Sequence, residues 1–301
     1  MVITRDYISS TGSVFPTEEE LDRLILGPDS VAWRVTSDLR LNLAMLYPLL
    51  LQVAHPTVDA GVTDHSDFEH RPWDRLLRTM DYVSLLVYGG REAVSAGRRL
   101  RQIHRKFTGT RPDGTPYSAL EPSAYAWVHA TLLATYVHAH AHFGTPMSQP
   151  DTARFYAEYR GLGRLIGVRE RDLPETWAGF CAYFRRTART TLTRTESVGR
   201  VIDTINHAGP PPIPITGRLW PVIRLPAHRM LWLGSVGLFH PVVRRRLEIG
   251  WSPLDEAQFR VLSTMSQAIG PLMPASLKIT GPGHLRWRRA EIESGPLGHA
   301  A

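Results

Sequence analysis

The chain has 301 residues, 43% of them hydrophobic and 21% charged, which is enough apolar content to bury a sizeable core and excludes a disordered chain. Its 35 basic and 28 acidic residues leave a formal charge of +7, but only Lys106 and Lys278 are lysine. The excess is thus an arginine bias, not a basic stripe interleaved with aromatics, and nucleic acid is not an expected partner. A single cysteine, Cys181, excludes an internal disulfide and any Cys-based zinc or iron–sulfur centre, so iron or zinc would need histidine.

The N-terminus, MVITRDYISSTGSVFPTEEE, has no basic start followed by an apolar run, which predicts no secretory or twin-arginine leader and a cytoplasmic protein. Of the two most apolar windows, 41–62 is interrupted by Gln52, His55, Pro56 and Asp59. The other, 230–243, is too short to span a bilayer. A transmembrane span is not expected, and peripheral membrane contact stays open.

Taken in chain order, helix signals dominate. Thr17 with Glu20 reads as a capping box opening a short acidic helix. Asp74 to Tyr88 is closed by Gly89 and Gly90, and RPDGTP over 111–116 reads as a loop. Pro122 opens a long helix closed by Gly144 and Pro146. Asp151 to Leu162 and a stretch from Pro174 towards Arg189 follow. GPPPIP over 209–214 excludes helix, because its prolines lack N–H groups and fix φ. Ser252, Pro253 and Asp255 start a last helix towards Ala268 and Gly270. Few strand signals occur. The expected organisation is an N-terminal arm with a short helix (1–28), a helical core (29–208) and a C-terminal helical subdomain packed on the same core (209–301).

Histidines in the long helix carry the first chemical signal. At about 100° per residue His129 and His140 fall nearly on one face, and His138 and His142 form an i, i+4 pair on another. The pair suits either a shared metal ion or a solvated helix end that complements the dipole. His129, framed by aromatic and aliphatic residues, suits either an axial haem ligand or a satisfied core histidine. Arg75, Arg78, Thr79 and Tyr82 follow i, i+3, i+4, i+7 spacing opposite Leu76, Leu77, Met80, Val83 and Val87. That face suits bulk water or, by charge-assisted hydrogen bonds, an anionic group. His55, Asp59, Asp64 and His65 lie close to an apolar stretch and need partners or a purpose.

The runs LQVAHPTVDAGVTDHSDF, RLLRTM, PDGTPYSALEPSAYAWVHATL and FGTPMS together resemble the rubber oxygenase and MpaB-like oxygenase family, over about Asp29 to Arg289. The resemblance implies an all-α fold with a globin-like core holding haem b, and oxidative chemistry that in characterised branches cleaves carbon–carbon double bonds of isoprenoid chains. It implies His129, in the VHA match, as the proximal iron ligand. It places the family's Arg-x-x-Lys-Thr cluster at Arg75, Arg78 and Thr79, with Arg75 on a propionate and Arg78 and Thr79 on the distal side. Arg78 stands where that pattern has lysine, and arginine does not readily deprotonate to ligate iron. His65, with Asp64 and His55, is expected among the polar equipment of catalysis. The expected function is a haem b oxygenase acting with dioxygen on a small apolar or isoprenoid-like intracellular compound. Its alternatives are a haem peroxidase or peroxygenase, a non-catalytic haem sensor or carrier, and a non-haem metal protein using His138 and His142.

Overall fold

The computed structural model describes residues 15–211, 216–278 and 281–294. Its first helices start at side-chain caps. Helix α1 (Glu18–Leu24) opens at the expected capping box: the Thr17 side chain accepts from the Glu20 N–H, and the Glu20 carboxylate accepts from the Thr17 N–H at 2.8 Å. Ser30 caps α2 (Val31–Val35), and a 3-10 turn over Leu39–Ala44 leads into the apolar α3 (Leu46–Val53). His55 then caps α4 (Pro56–His65), its Nδ1 accepting from the Thr57 N–H at 3.3 Å.

Helices α5 (Pro72–Tyr88) and α6 (Glu92–His104) form a tight hairpin. Gly90 turns it at φ +56°, a backbone region that only glycine enters without strain. Pro72 moves the start of α5 ahead of the expected Asp74, because a proline at the first turn forfeits no hydrogen bond. The RPDGTP loop does not stand alone: it joins β1 (Thr108–Thr110) to β2 (Pro116–Ser118), antiparallel with Thr108 opposite Ser118. This hairpin is the one sheet among the described residues.

The long helix α7 (Pro122–His142) and α8 (Gln149–Leu165, capped by Ser148) follow. Next come α9 (Trp177–Thr190, capped by Thr176) and α10 (Glu196–His207). Helix α11 (Thr216–Val236) runs through Pro221 and Pro226, which is why its pattern does not read as a helix in the sequence. Helix α12 (Pro241–Arg246), α13 (Pro253–Ile269, opened by the expected Ser252–Asp255 capping box), α14 (Ala275–Lys278) and α15 (Gly281–Ser294) complete the chain. The fold is all-α. Residues 1–14 of the N-terminal arm and 212–214 of the proline-rich stretch lie outside the described residues.

Helix α7 is the centre of the core. Trp127, Ala130, Leu133 and Ala139 are fully enclosed, and the small alanines let α3 and α8 approach closely. The Trp127 indole N–H donates to the Leu51 carbonyl at 2.9 Å, so the bulkiest core side chain leaves no buried donor unpaired. Val236, Phe239, Leu247 and Phe259 from the C-terminal third join the same apolar cluster as Leu50, Leu133 and Phe155. Asp81 on α5 fastens α15 by accepting from His284 and Arg288, each at 2.9 Å. Among the described residues no helix is long and apolar enough to cross a membrane.

Candidate functional site

Tyr125, His129 and Tyr136 share one face of α7, turned towards α6 and α8. His129 is buried, and its Nε2 donates to the Tyr159 carbonyl at 2.8 Å. Its ring stacks on Tyr159 with centroids 4.8 Å apart. Gly163 admits this approach, since a Cβ there would sit 3.0 Å from Nε2. Its Nε2–H is therefore held by a main-chain oxygen, the ring's lone pair lies on Nδ1, and His129 ties α7 to α8.

Burial pushes the His129 pKa down to about 4 and acts on His138 likewise. Both rings are neutral in the folded protein, whereas the unfolded chain takes up protons near pH 6.5. A depressed folded-state pKa means that the unfolded chain binds more protons between these values. The contribution is thus complete above about pH 6.5 and is lost as pH falls towards about 4, on the order of a few kcal/mol per ring. The urea midpoint should fall between about pH 7 and about pH 4.5, less steeply in His138→Gln; a midpoint independent of pH would rule this out.

The α5–α6 hairpin gathers a second group of polar side chains. Arg75 Nη1 donates to the Thr79 hydroxyl at 2.7 Å, and that hydroxyl donates its proton to the Arg75 carbonyl at 3.0 Å. Solvent reaches the Arg75 side chain, yet surrounding protein, with the nearby Arg78 charge second, pushes its guanidinium pKa down. Water thus still reaches a guanidinium whose charge is partly desolvated by the protein around it. Arg78 is exposed and close enough to act on Arg75 and Asp67.

Across the hairpin stands His104, which sequence reasoning missed. Its Nδ1 donates to the Leu100 carbonyl at 2.8 Å, fixing the tautomer so that the Nε2 lone pair is free. Among the described residues no group hydrogen-bonds that nitrogen. Phe107 and Tyr125 pack edge-on against the ring at 5.6 and 5.9 Å, and Tyr125 is itself anchored by donating to the Ile166 carbonyl at 2.9 Å. Desolvation lowers the His104 pKa, and the Arg75 charge adds to the effect. The hairpin thus brings together an oriented neutral imidazole, a guanidinium and a hydroxyl, while Leu76, Leu77 and Met80 of α5 remain only half-buried.

His65, Asp64 and His55 fall elsewhere. The Tyr117 hydroxyl donates to Asp64, and His65 Nε2 lies 3.3 Å from the Thr108 carbonyl, so both residues attach α4 to the β-hairpin. His65 also stacks on Phe107 at 4.8 Å, one ring removed from His104. His55 caps α4 beside a Thr57–Glu121–Arg111 cluster, with Thr57 donating to Glu121 at 2.9 Å. His138 shares a hydrogen bond with the Tyr47 hydroxyl at 2.9 Å. Among the described residues no three His, Cys, Asp or Glu side chains converge to hold a metal ion.

These features define a class: an all-helical protein in which a hairpin of two helices offers an oriented imidazole beside two exposed guanidinium groups. Residues 33–268 match the family described as ER-bound oxygenase mpaB/B'/rubber oxygenase, catalytic domain. The chain belongs to that family, and with it to the oxidoreductases that act on a substrate with dioxygen. No curated protein and no solved structure matches it.

Proposed function

We propose that the chain is a haem b-dependent oxygenase of a small apolar or isoprenoid-like compound, with the cofactor seated against the α5–α6 hairpin and its iron held by His104. The observation that carries this reading is the His104 imidazole: Nδ1–H bound to the Leu100 carbonyl, Nε2 free, the ring wedged between aromatic neighbours. A histidine that ligates metal through one nitrogen commonly has its other N–H held by a carbonyl or carboxylate. We prefer His104 to His129 because the His129 ring is buried and stacked on Tyr159, whereas the half-buried His104 ring stands beside the charged face of α5.

The other residues have separable tasks. The Arg75 guanidinium has five N–H groups and gives one to Thr79, leaving the rest to hold a propionate carboxylate in a planar fork. The Thr79 proton is already donated to a main-chain oxygen, so Thr79 acts chiefly by orienting Arg75. Arg78 supplies a permanent positive charge near Arg75 and no iron ligand. The half-buried apolar side chains of α5 would exclude water from the bound group's edge. Haem, when bound, supplies the dioxygen chemistry that no side chain here performs.

The test is the absorption spectrum of the protein after loading with haem, followed by oxygen uptake with small isoprenoid alkenes. A Soret band and alkene-dependent uptake are expected. No Soret band would overturn the cofactor. A Soret band with turnover only on added peroxide, or with none at all, would replace the oxygenase by a peroxygenase or a sensor.

A further inference from the structure

A cavity of about 370 Å³ opens between α3, α7, α9 and the segment joining α11 to α12. It lies within the size range of small-molecule sites, roughly 300–1,000 Å³. Ala134 and His138 line it from α7. At about 100° per residue they point roughly opposite to Tyr125 and His129, so the cavity and His104, which packs on Tyr125, occupy different sides of the core.

The interior is apolar and aromatic, with Trp177, Phe180 and Phe184 forming the α9 wall. These rings are held by one another, Trp177 stacking on Phe180 at 5.3 Å. Two polar groups inside, His138 and Cys181, carry no charge at neutral pH. His138 shares its Nδ1 hydrogen bond with Tyr47, burial keeps its ring neutral, and burial likewise pushes the Cys181 thiol pKa up. Permanent charge stands at the mouth, where Arg185 and Arg189 sit one helical turn apart on the exposed side of α9. Neither guanidinium has an ion pair or hydrogen bond among the described residues. An uncharged apolar chamber with two unpaired cations at its rim is complementary to a molecule with an aliphatic body and an anionic head.

We propose that this cavity is a second binding site, taking an aliphatic carboxylate whose chain lies against the α9 aromatic rings and whose head group is held by Arg185 and Arg189. The shared chemistry covers straight-chain fatty acids and branched isoprenoid acids.

Cys181 makes the site directly readable, because it lines the cavity and is the only cysteine of the chain. Its alkylation by iodoacetamide is followed in the full chain with decanoate, geranate or decanol, each rate taken relative to the ligand-free rate of the same variant. Carboxylates should slow the reaction at least about fivefold, and decanol, which lacks the charge, much less. Protection by geranate alone would assign the site to isoprenoid acids, and equal protection by decanoate to aliphatic acids in general. The double variant Arg185→Gln, Arg189→Gln should lose the preference for carboxylate over alcohol while its circular dichroism stays that of the parent. Absence of protection by either acid, equal protection by decanol, or an undiminished carboxylate preference in the double variant would each overturn the proposal. Because the readout is a thiol, the outcome is independent of whether haem binds at His104.

Discussion

A His104→Gly variant is expected to lose the Soret band of the haem-loaded protein and to regain most of it when free imidazole is supplied. The glycine removes the only unengaged imidazole nitrogen of the hairpin and leaves a space bounded by Phe107 and Tyr125, which a free imidazole can fill. Loss of a partner that merely orients a metal ligand costs about 10–100-fold in affinity, so loss of the ligand itself should weaken haem binding by at least about 100-fold. His129→Gln supplies the contrast. It removes the ring that ties α7 to α8, so it should lower the melting temperature and leave the haem spectrum in position. The opposite pattern, a folded His129 variant without a Soret band beside a His104 variant that keeps it, would return the ligand to His129. Rescue by imidazole separates ligation from folding, since a collapsed protein would not recover.

The residues that were hard to read in the sequence are hard for identifiable reasons. Caps are local chemistry, so the Thr17–Glu20 and Ser252–Asp255 boxes mark their helices directly. The centre of α7 is legible because alanines and aromatics fill it, and its burial follows. The partner of His129 is not legible: Tyr159 lies on another helix, and the contact depends on Gly163 leaving room. His104 sits in RRLRQIHRK, a run that reads as a solvated helix end where a histidine complements the dipole. A signal was nevertheless present. Arg75 lies fourteen residues before Gly89 and His104 fourteen after Gly90, so a tight antiparallel hairpin sets them side by side. Helical spacing within α5 alone identified Arg75, Arg78 and Thr79 as a face, but only pairing across the turn shows which group that face meets.

Thr79 illustrates the limit of spacing from the other side. Its position beside Arg75 suggests a free hydroxyl for dioxygen, whereas the hydroxyl proton is donated one turn back to the Arg75 carbonyl. Threonine in a helix has this local acceptor always within reach. A distal role for Thr79 would therefore require its rotamer to change. The same local competition leaves Arg75, which has donors to spare, as the better group for an anionic ligand edge.

Gly97→Ala is expected to be the most damaging single-methyl addition in the hairpin, lowering stability by about 2 kcal/mol and the melting temperature by roughly 4 °C. Helix propensity alone favours alanine by up to about 1 kcal/mol. Packing decides otherwise. A Cβ at Gly97 would meet the Leu165 carbonyl oxygen and lie 2.8 Å from its carbon, and main-chain atoms at the end of α8 cannot swing aside as a flexible side chain would. Helix α6 must then move off α8. His104 is seven residues further along α6, two turns from the displaced point, so the shift carries the imidazole away from Arg75 and Tyr125. Haem retention should fall together with stability, whereas Gly27→Ala, where an added Cβ meets nothing within 4 Å, should change neither. Thermal melts of the three proteins with and without haem give the answer: a Gly97→Ala melting temperature equal to that of the parent would show that α6 does not pack on the end of α8 in this way.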